Sequence, residues 1–176
     1  MTRKPDDVLA LLEAHGERLY ALLLRLSLRG DVADDLLQDL FCKLIQNPRF
    51  ARADDPLAYA SRMAINLAFD YRRRQRRQPA LLDGDGPAAA AASPLAGLVR
   101  REELDQVLEA IGRLPGAGRD VLVLRYLEHQ EFEAIGRAVG KTAHQARAIC
   151  HKAITRLRRL LGEEAPDDSA TKRQNR

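Results

Sequence analysis

Two cysteines, Cys42 and Cys150, are the only thiols among 176 residues. So distant a pair makes no disulfide framework and no paired metal-ligand spacing. The expectation is two reduced thiols, buried on apolar faces of a cytosolic protein. Apolar runs are short as well. None approaches the roughly 20 residues that a membrane-spanning helix needs, and the N-terminus has no apolar signal core, so neither membrane insertion nor secretion is expected. The four histidines, His15, His129, His144 and His151, share no metal-ligand spacing with carboxylates. With no nucleophile elbow and no phosphate loop either, enzyme chemistry, a metal site and a cofactor are not expected. β-Branched residues are sparse beside leucine and alanine, which points to an all-α fold.

What the chain does have is charge, unevenly placed. The formal net charge is +4 and the pI about 9.3. Acidic residues gather at Asp31, Asp34, Asp35 and Asp39, and arginines at Arg72 to Arg77 and Arg156 to Arg159. This asymmetry suggests a polyanion at the basic ends and a protein partner at the acidic patch. Residues 78–94, QPALLDGDGPAAAAASP, hold three prolines, two glycines and a run of alanines. That composition marks a flexible linker. It separates one helical module, 1–77, from a second, 95–161. Residues 162–176 offer no apolar anchor and read as a disordered tail.

Punctuation residues divide the modules into helices. In the first, a helix opens at Pro5 or Asp6 and runs to about Leu28; Gly30 ends it and Asp31 caps a second helix to Gln46. Asn47 and Pro48 stop that helix, and Asp55 caps a third, with Pro56 in its first turn, to about Arg77. In the second module Ser93 caps and Pro94 opens a helix to about Arg113, Leu114-Pro115-Gly116 breaks it, and 117–127 form the next. The interior is expected to draw on Leu104, Val107, Leu108, Ile111, Val121, Leu122, Leu124, Ile135, Val139, Ile149 and Leu157.

The stretch 133–159, EAIGRAVGKTAHQARAICHKAITRLRR, then reads as two helices about a tight turn. Ile135 and Val139 share a face, Gly140 suits a left-handed stop, and Thr142 can cap the next helix. That helix buries Ala146, Ile149 or Cys150, Ala153, Leu157 and Leu160, and turns His144, Arg147, Ala148, His151 and Thr155 outward. A helix-turn-helix that enters a DNA major groove has this pattern, as has a plain helical hairpin with a basic solvated face.

Two constellations occupy the first module. In DVADDLLQDLFCKLIQNP, Leu37, Phe41 and Leu44 can face the core, while Leu36, Leu40 and Phe41 widen the apolar stripe beyond one packing face. Asp35, Gln38 and Asp39 border it. A dock for a basic partner helix fits that strip, and so does a core helix with a solvated acidic side. The third helix is apolar through its first half and ends in the arginine cluster. One or two cations satisfy a helix dipole, so five arginines favour phosphate binding. Phe50, Tyr59 and Tyr71 can stack on exposed bases or pack in the bundle. Asn66 is either a satisfied core amide or a reader of a base edge.

Three motifs in this order, DDLLQDLF at 34–41, SRMAINLAFDYRRR at 61–74 and LPGAGRDVLVLRYLE with the helix-turn-helix at 114–159, resemble a bacterial RNA polymerase sigma factor of the extracytoplasmic-function group. The match covers about residues 8–77 and 98–160. It implies an all-α protein of two domains joined by a flexible linker, the second a four-helix domain. It implies no enzyme, but a cytoplasmic initiation factor, monomeric when free, that joins core RNA polymerase through the β′ clamp helices and β flap and binds promoter DNA. An anti-sigma protein is a further candidate partner. By the same resemblance Asp35, Leu36, Gln38, Asp39 and Phe41 dock on polymerase. Phe50, Arg52, Tyr59, Met63 and Asn66 capture a flipped base of the minus-10 element, with Arg72, Arg73 and Arg74 along its backbone. Thr142, His144, Gln145, Arg147, Ala148, His151 and Lys152 belong to minus-35 recognition. Two residues depart from the family pattern: Tyr59 stands where tryptophan is usual, and Ala148-Ile149 where Ser-Arg is common.

The linker sets the scale of the mechanism. Its free span is about 23 Å and its fully extended reach about 56 Å, whereas promoter elements some twenty base pairs apart lie on the order of 70 Å apart. Polymerase would have to hold the modules spread, so the free protein is expected to bind DNA weakly. A dimeric helix-turn-helix regulator acting without polymerase is the rival reading; it needs a dimer surface and a palindromic site.

Overall fold

A computed structural model describes residues 5–77 and 94–162. The expected linker, the Ser93 cap and the tail from 163 onward lie outside the described residues. Within them the chain forms seven α-helices and no strand.

Helices α1 (Pro5–Ser27), α2 (Gly30–Gln46) and α3 (Pro56–Arg77) pack on one another as the first module. Leu19, Leu22, Leu23 and Leu26 recur at helical spacing along α1 and are fully buried. They meet Val32, Ala33, Leu36, Leu40 and Leu44 of α2 and Ala60, Ala64, Ile65 and Ala68 of α3. Each buried leucine contributes about 1.5–3 kcal/mol. The small residues of α3 let the other helices approach it closely. Asp55 caps α3 as expected, accepting the Ala58 N–H at 2.9 Å.

The α1–α2 corner departs from expectation. Gly30 does not end α1; it is the first residue of α2, and Asp31 lies in the first turn rather than at the cap. Leu28 makes the left-handed turn, with φ 60°. The Ser27 hydroxyl holds the corner, donating to Arg29 O at 3.0 Å while lying 3.3 Å from the Arg29 N–H that it accepts. Arg29 also grips both oxygens of Asp31, at 3.1 and 2.5 Å, which lowers the Asp31 carboxyl below its ordinary value.

The second module comprises α4 (Pro94–Gly112), α5 (Gly116–Leu122), α6 (Phe132–Val139) and α7 (Ala143–Leu160). The expected helix over 117–127 is α5 running into one π turn, Val123–Leu127, after which Glu128 N–H donates to Val123 O at 3.1 Å. Val121, Leu124 and Ile135 are fully buried, with Ala146, Cys150 and Ala153 of α7 against them. Three sequence expectations fail on burial. Leu104 is 53% exposed, Leu160 is exposed too, and Cys42 lies on the surface rather than in a core. Each sits on the outer side of a helix whose opposite side alone meets a neighbour.

The modules are in contact, α3 against α4 and α6. Phe69 of α3 reaches Gly112 of α4 so closely that a Cβ there would lie 3.2 Å from its ring.

Candidate nucleic-acid and partner interfaces

Helix α2 presents two edges. Its inner ridge, Ala33, Leu36, Leu40 and Leu44, is buried. Leu36, implied as a docking residue, is therefore a packing residue at 6% exposure. The outer edge carries exposed Asp34, Asp35, Gln38 and Asp39 beside half-buried Leu37 and Phe41. Ile45 continues the Leu37–Phe41 line one turn further and is 41% exposed. It was missed because an apolar residue beside a core stripe looks like core.

The turn after α2 positions the next group. Asn47 Nδ2–H donates to the Tyr59 hydroxyl at 2.8 Å, and Asn47 Oδ1 accepts the Arg49 N–H at 2.9 Å, closing the loop over Phe50. Phe50 is 1% exposed and packs tilted on Tyr59, ring centres 5.8 Å apart. It thus forms the floor under this loop rather than an open wall. Arg52 is exposed beside it. Tyr59, Met63 and Asn66 recur at helical spacing and so share a face of α3, with Tyr59 and Met63 half-buried and Asn66 exposed.

The arginine cluster divides. Arg72 and Arg76 turn to α4, where Arg72 bonds Asp105 at 2.6 Å and Arg76 pairs with Glu109. Arg73 pairs with Asp70 at 2.8 Å, and Arg74 and Arg77 face solvent.

The helix-turn-helix is built as the sequence predicts. Gly140 takes the left-handed conformation, φ 67°. Thr142 Oγ1 accepts Gln145 N–H at 3.2 Å while Gln145 Oε1 accepts Thr142 N–H at 3.0 Å, a reciprocal capping box. Thr142, His144, Gln145, Arg147, Ala148, His151 and Lys152 are all exposed along α7. The Arg147 guanidinium lies 5.2 Å over the Phe132 ring and 3.7 Å from Glu133. Cys150 faces inward, and burial raises its thiol above the ordinary value.

Sequence reasoning missed two carboxylates at the module boundary. Asp120 receives Arg119 and Arg62, the latter from α3 at 3.4 Å. Glu128, its side chain 2% exposed, takes Arg18 at 2.7 Å and Arg25 at 2.5 Å from α1. No local pattern reveals such long-range partners. Among the described residues no group of three or more His, Cys, Asp or Glu side chains is placed to hold a metal, and no helix is long and apolar enough to cross a membrane.

Comparison with known proteins agrees with this geometry. Residues 11–78 match the sigma-70 region 2 family and residues 110–159 the sigma-70 region 4 family. The chain is 32% identical over 157 residues to the RNA polymerase sigma factor CarQ of Myxococcus xanthus, covering 87% of this chain and 88% of that one. It is 26% identical over 165 residues to the ECF sigma factor EcfG of Rhodopseudomonas palustris strain TIE-1, covering 93% and 87%. In fold it is similar to the sigma factor RpoE in its complex with the anti-sigma factor NepR from Bartonella quintana, with TM-score 0.51 and 20% identity, covering 90% of this chain and 99% of that one. The chain belongs to the extracytoplasmic-function group of the sigma-70 family: it is a non-enzymatic initiation factor that directs RNA polymerase to promoters.

Proposed function

We propose that this initiation factor grips core RNA polymerase through the outer edge of α2 and reads promoter DNA with α3 and α7. The observation that carries the polymerase contact is the exposed apolar line Leu37, Phe41 and Ile45, edged by Asp35, Gln38 and Asp39. Such a line suits an amphipathic basic helix, its carboxylates pairing at the rim. Leu36 is left out of that contact, because it is committed to the core. The Tyr59, Met63 and Asn66 face suits a base of the minus-10 element turned out of the stack, with Asn66 offering both donor and acceptor. Arg52, Arg73 and Arg74 attract the strand electrostatically, and Phe50 supports the face from below. Helix α7 fits a major groove by its N-terminal half, where His144, Gln145, Arg147, Ala148, His151 and Lys152 face solvent. Regions 1–77 and 95–161 act as the two functional domains, in the cytoplasm, where core polymerase is found. An anti-sigma protein is a fitting further partner, since the solved relative RpoE is seen with one.

The test is binding to sigma-free core polymerase, with Asp39→Arg as the comparison. Nanomolar binding by the parent, weakened at least about tenfold (about 1.4 kcal/mol) in a variant of unchanged helicity, is expected. No binding to core, with tight binding of the protein alone to palindromic DNA, would overturn the reading in favour of a dimeric regulator.

A further inference from the structure

The promoter-facing side of α3 is already occupied from within the chain. Arg72 Nη2 donates to Asp105 Oδ1 at 2.6 Å and to the Asp105 carbonyl at 3.1 Å, leaving its side chain 13% exposed. One turn on, Arg76 pairs with Glu109. One turn back, Arg119 of α5 donates to Asn66 Oδ1. The spacings correspond: Arg72 and Arg76 are four apart on α3, Asp105 and Glu109 four apart on α4, so each helix presents its charges in one row at the same pitch. Helix α4 therefore sets carboxylates where a DNA strand would set phosphates, and Arg119 fills the amide that would meet a base.

Further contacts hold this arrangement without using any residue assigned to DNA or polymerase. Glu128 holds Arg18 and Arg25, Arg62 donates to Ala138 O at 3.0 Å, and Arg101 donates to Leu28 O at 3.2 Å. The cleft of about 750 Å³ between α3 and α4 is lined by more arginines than carboxylates. The arrangement is thus not neutralised and can yield to a stronger polyanion.

We propose that the acidic face of α4 is a built-in substitute for promoter phosphate, latching the free factor closed over Asn66, Arg72 and Arg76 until polymerase separates the modules. The proposal rests on the assignment of the α3 face to promoter DNA. It concerns a step before DNA binding, and polymerase binding through α2 does not depend on it.

The test compares the full chain with Asp105→Asn/Glu109→Gln, and separately with Glu128→Gln, which loosens the latch without touching α4. Energy transfer is read between dyes on Cys42 and on Leu161→Cys, in a Cys150→Ser background. Binding of a fluorescein-labelled 20-nucleotide poly-dT strand is read by anisotropy across salt concentrations. The expected result is high transfer in the parent, lower transfer in both variants, and strand affinity raised on the order of tenfold. In the double variant the salt slope steepens by about 1.4, for two added phosphate contacts at roughly 0.7 each. Equal transfer and equal affinity in all three proteins would overturn the latch. Opening without a gain in affinity would overturn its masking role. If Arg72→Ala added to the opened variant also leaves the strand affinity unchanged, the promoter assignment of Arg72 has failed as well. The α2 assignment is scored separately by Asp39→Arg.

Discussion

At Gly136 a Cβ would lie 2.8 Å from Lys141 O, 3.0 Å from the Thr142 carbonyl carbon and 3.1 Å from Ala143 N. All three are backbone atoms at the start of α7, so a methyl there displaces the recognition helix. At Gly140 nothing lies within 4 Å, and only the φ of 67° is at stake. Gly140→Ala is therefore expected to cost about 1 kcal/mol of conformational strain with DNA binding kept in the holoenzyme. Gly136→Ala should cost more than about 2 kcal/mol, as overpacking does, and weaken minus-35 binding as well. Urea melts and holoenzyme binding to an upstream half-site separate the two. Gly140 was legible from its place after an apolar helix face. Gly136 was not, since the close approach comes from a segment folding back on it. Exposed His129 has φ 52°, a conformation costly for any residue with a Cβ, so His129→Gly is expected to raise stability by about 0.5 kcal/mol, net of glycine's entropy. The thiols differ in a way composition could not reveal. Cys42 is exposed, while burial raises the Cys150 thiol and so reduces its thiolate fraction at any pH below that value. A thiol reagent at pH 8 should modify one site quickly and the second only on unfolding.

Helix α2 shows how far periodicity reaches. Apolar residues at 32, 33, 36, 37, 40, 41, 44 and 45 cover nearly half its circumference. The pattern identifies the helix but not which edge of the stripe is buried. Packing against α1 and α3 decides it, placing Leu36, Leu40 and Leu44 inward and leaving Leu37, Phe41 and Ile45 at the margin. The two edges predict opposite phenotypes. Leu36→Ala should lower stability by about 2–4 kcal/mol, as large-to-small core changes do, and alter polymerase binding only through folding. Ile45→Arg should leave the melting transition nearly unchanged and weaken core polymerase binding, because it places a cation against a basic partner. If Ile45→Arg binds polymerase as the parent does, the apolar line ends at Phe41. Gly30 illustrates the complementary failure. Glycine is the commonest left-handed residue, so it was read as the stop. Ser27 instead ties the corner and leaves Leu28 to make the turn, while packing of Leu28 on the core offsets its strained φ.

For the whole molecule, two helical modules were legible because linker composition and helix punctuation are local signals. Their contact was not, because arginines on α1 and α3 find carboxylates more than thirty residues away. The contact has two ends of different character. At the α4 end, Asp105 is 59% exposed and the cations on Glu109 about half exposed. At the other end, the carboxylates of Glu128 and Asp120 are 2–3% exposed. Salt screens exposed pairs far more than buried ones, the Debye length falling from about 10 Å at 0.1 M to about 3 Å at 1 M. Opening with rising salt should then be graded rather than all at once. Amide hydrogen exchange on the free protein is expected to show faster exchange in 99–112 of α4 first, with 123–130 around the π turn protected to higher salt. Simultaneous loss of protection in both segments would mean that the modules separate as one unit, and that no intermediate with α3 uncovered and Glu128 still held exists on the way to the open factor.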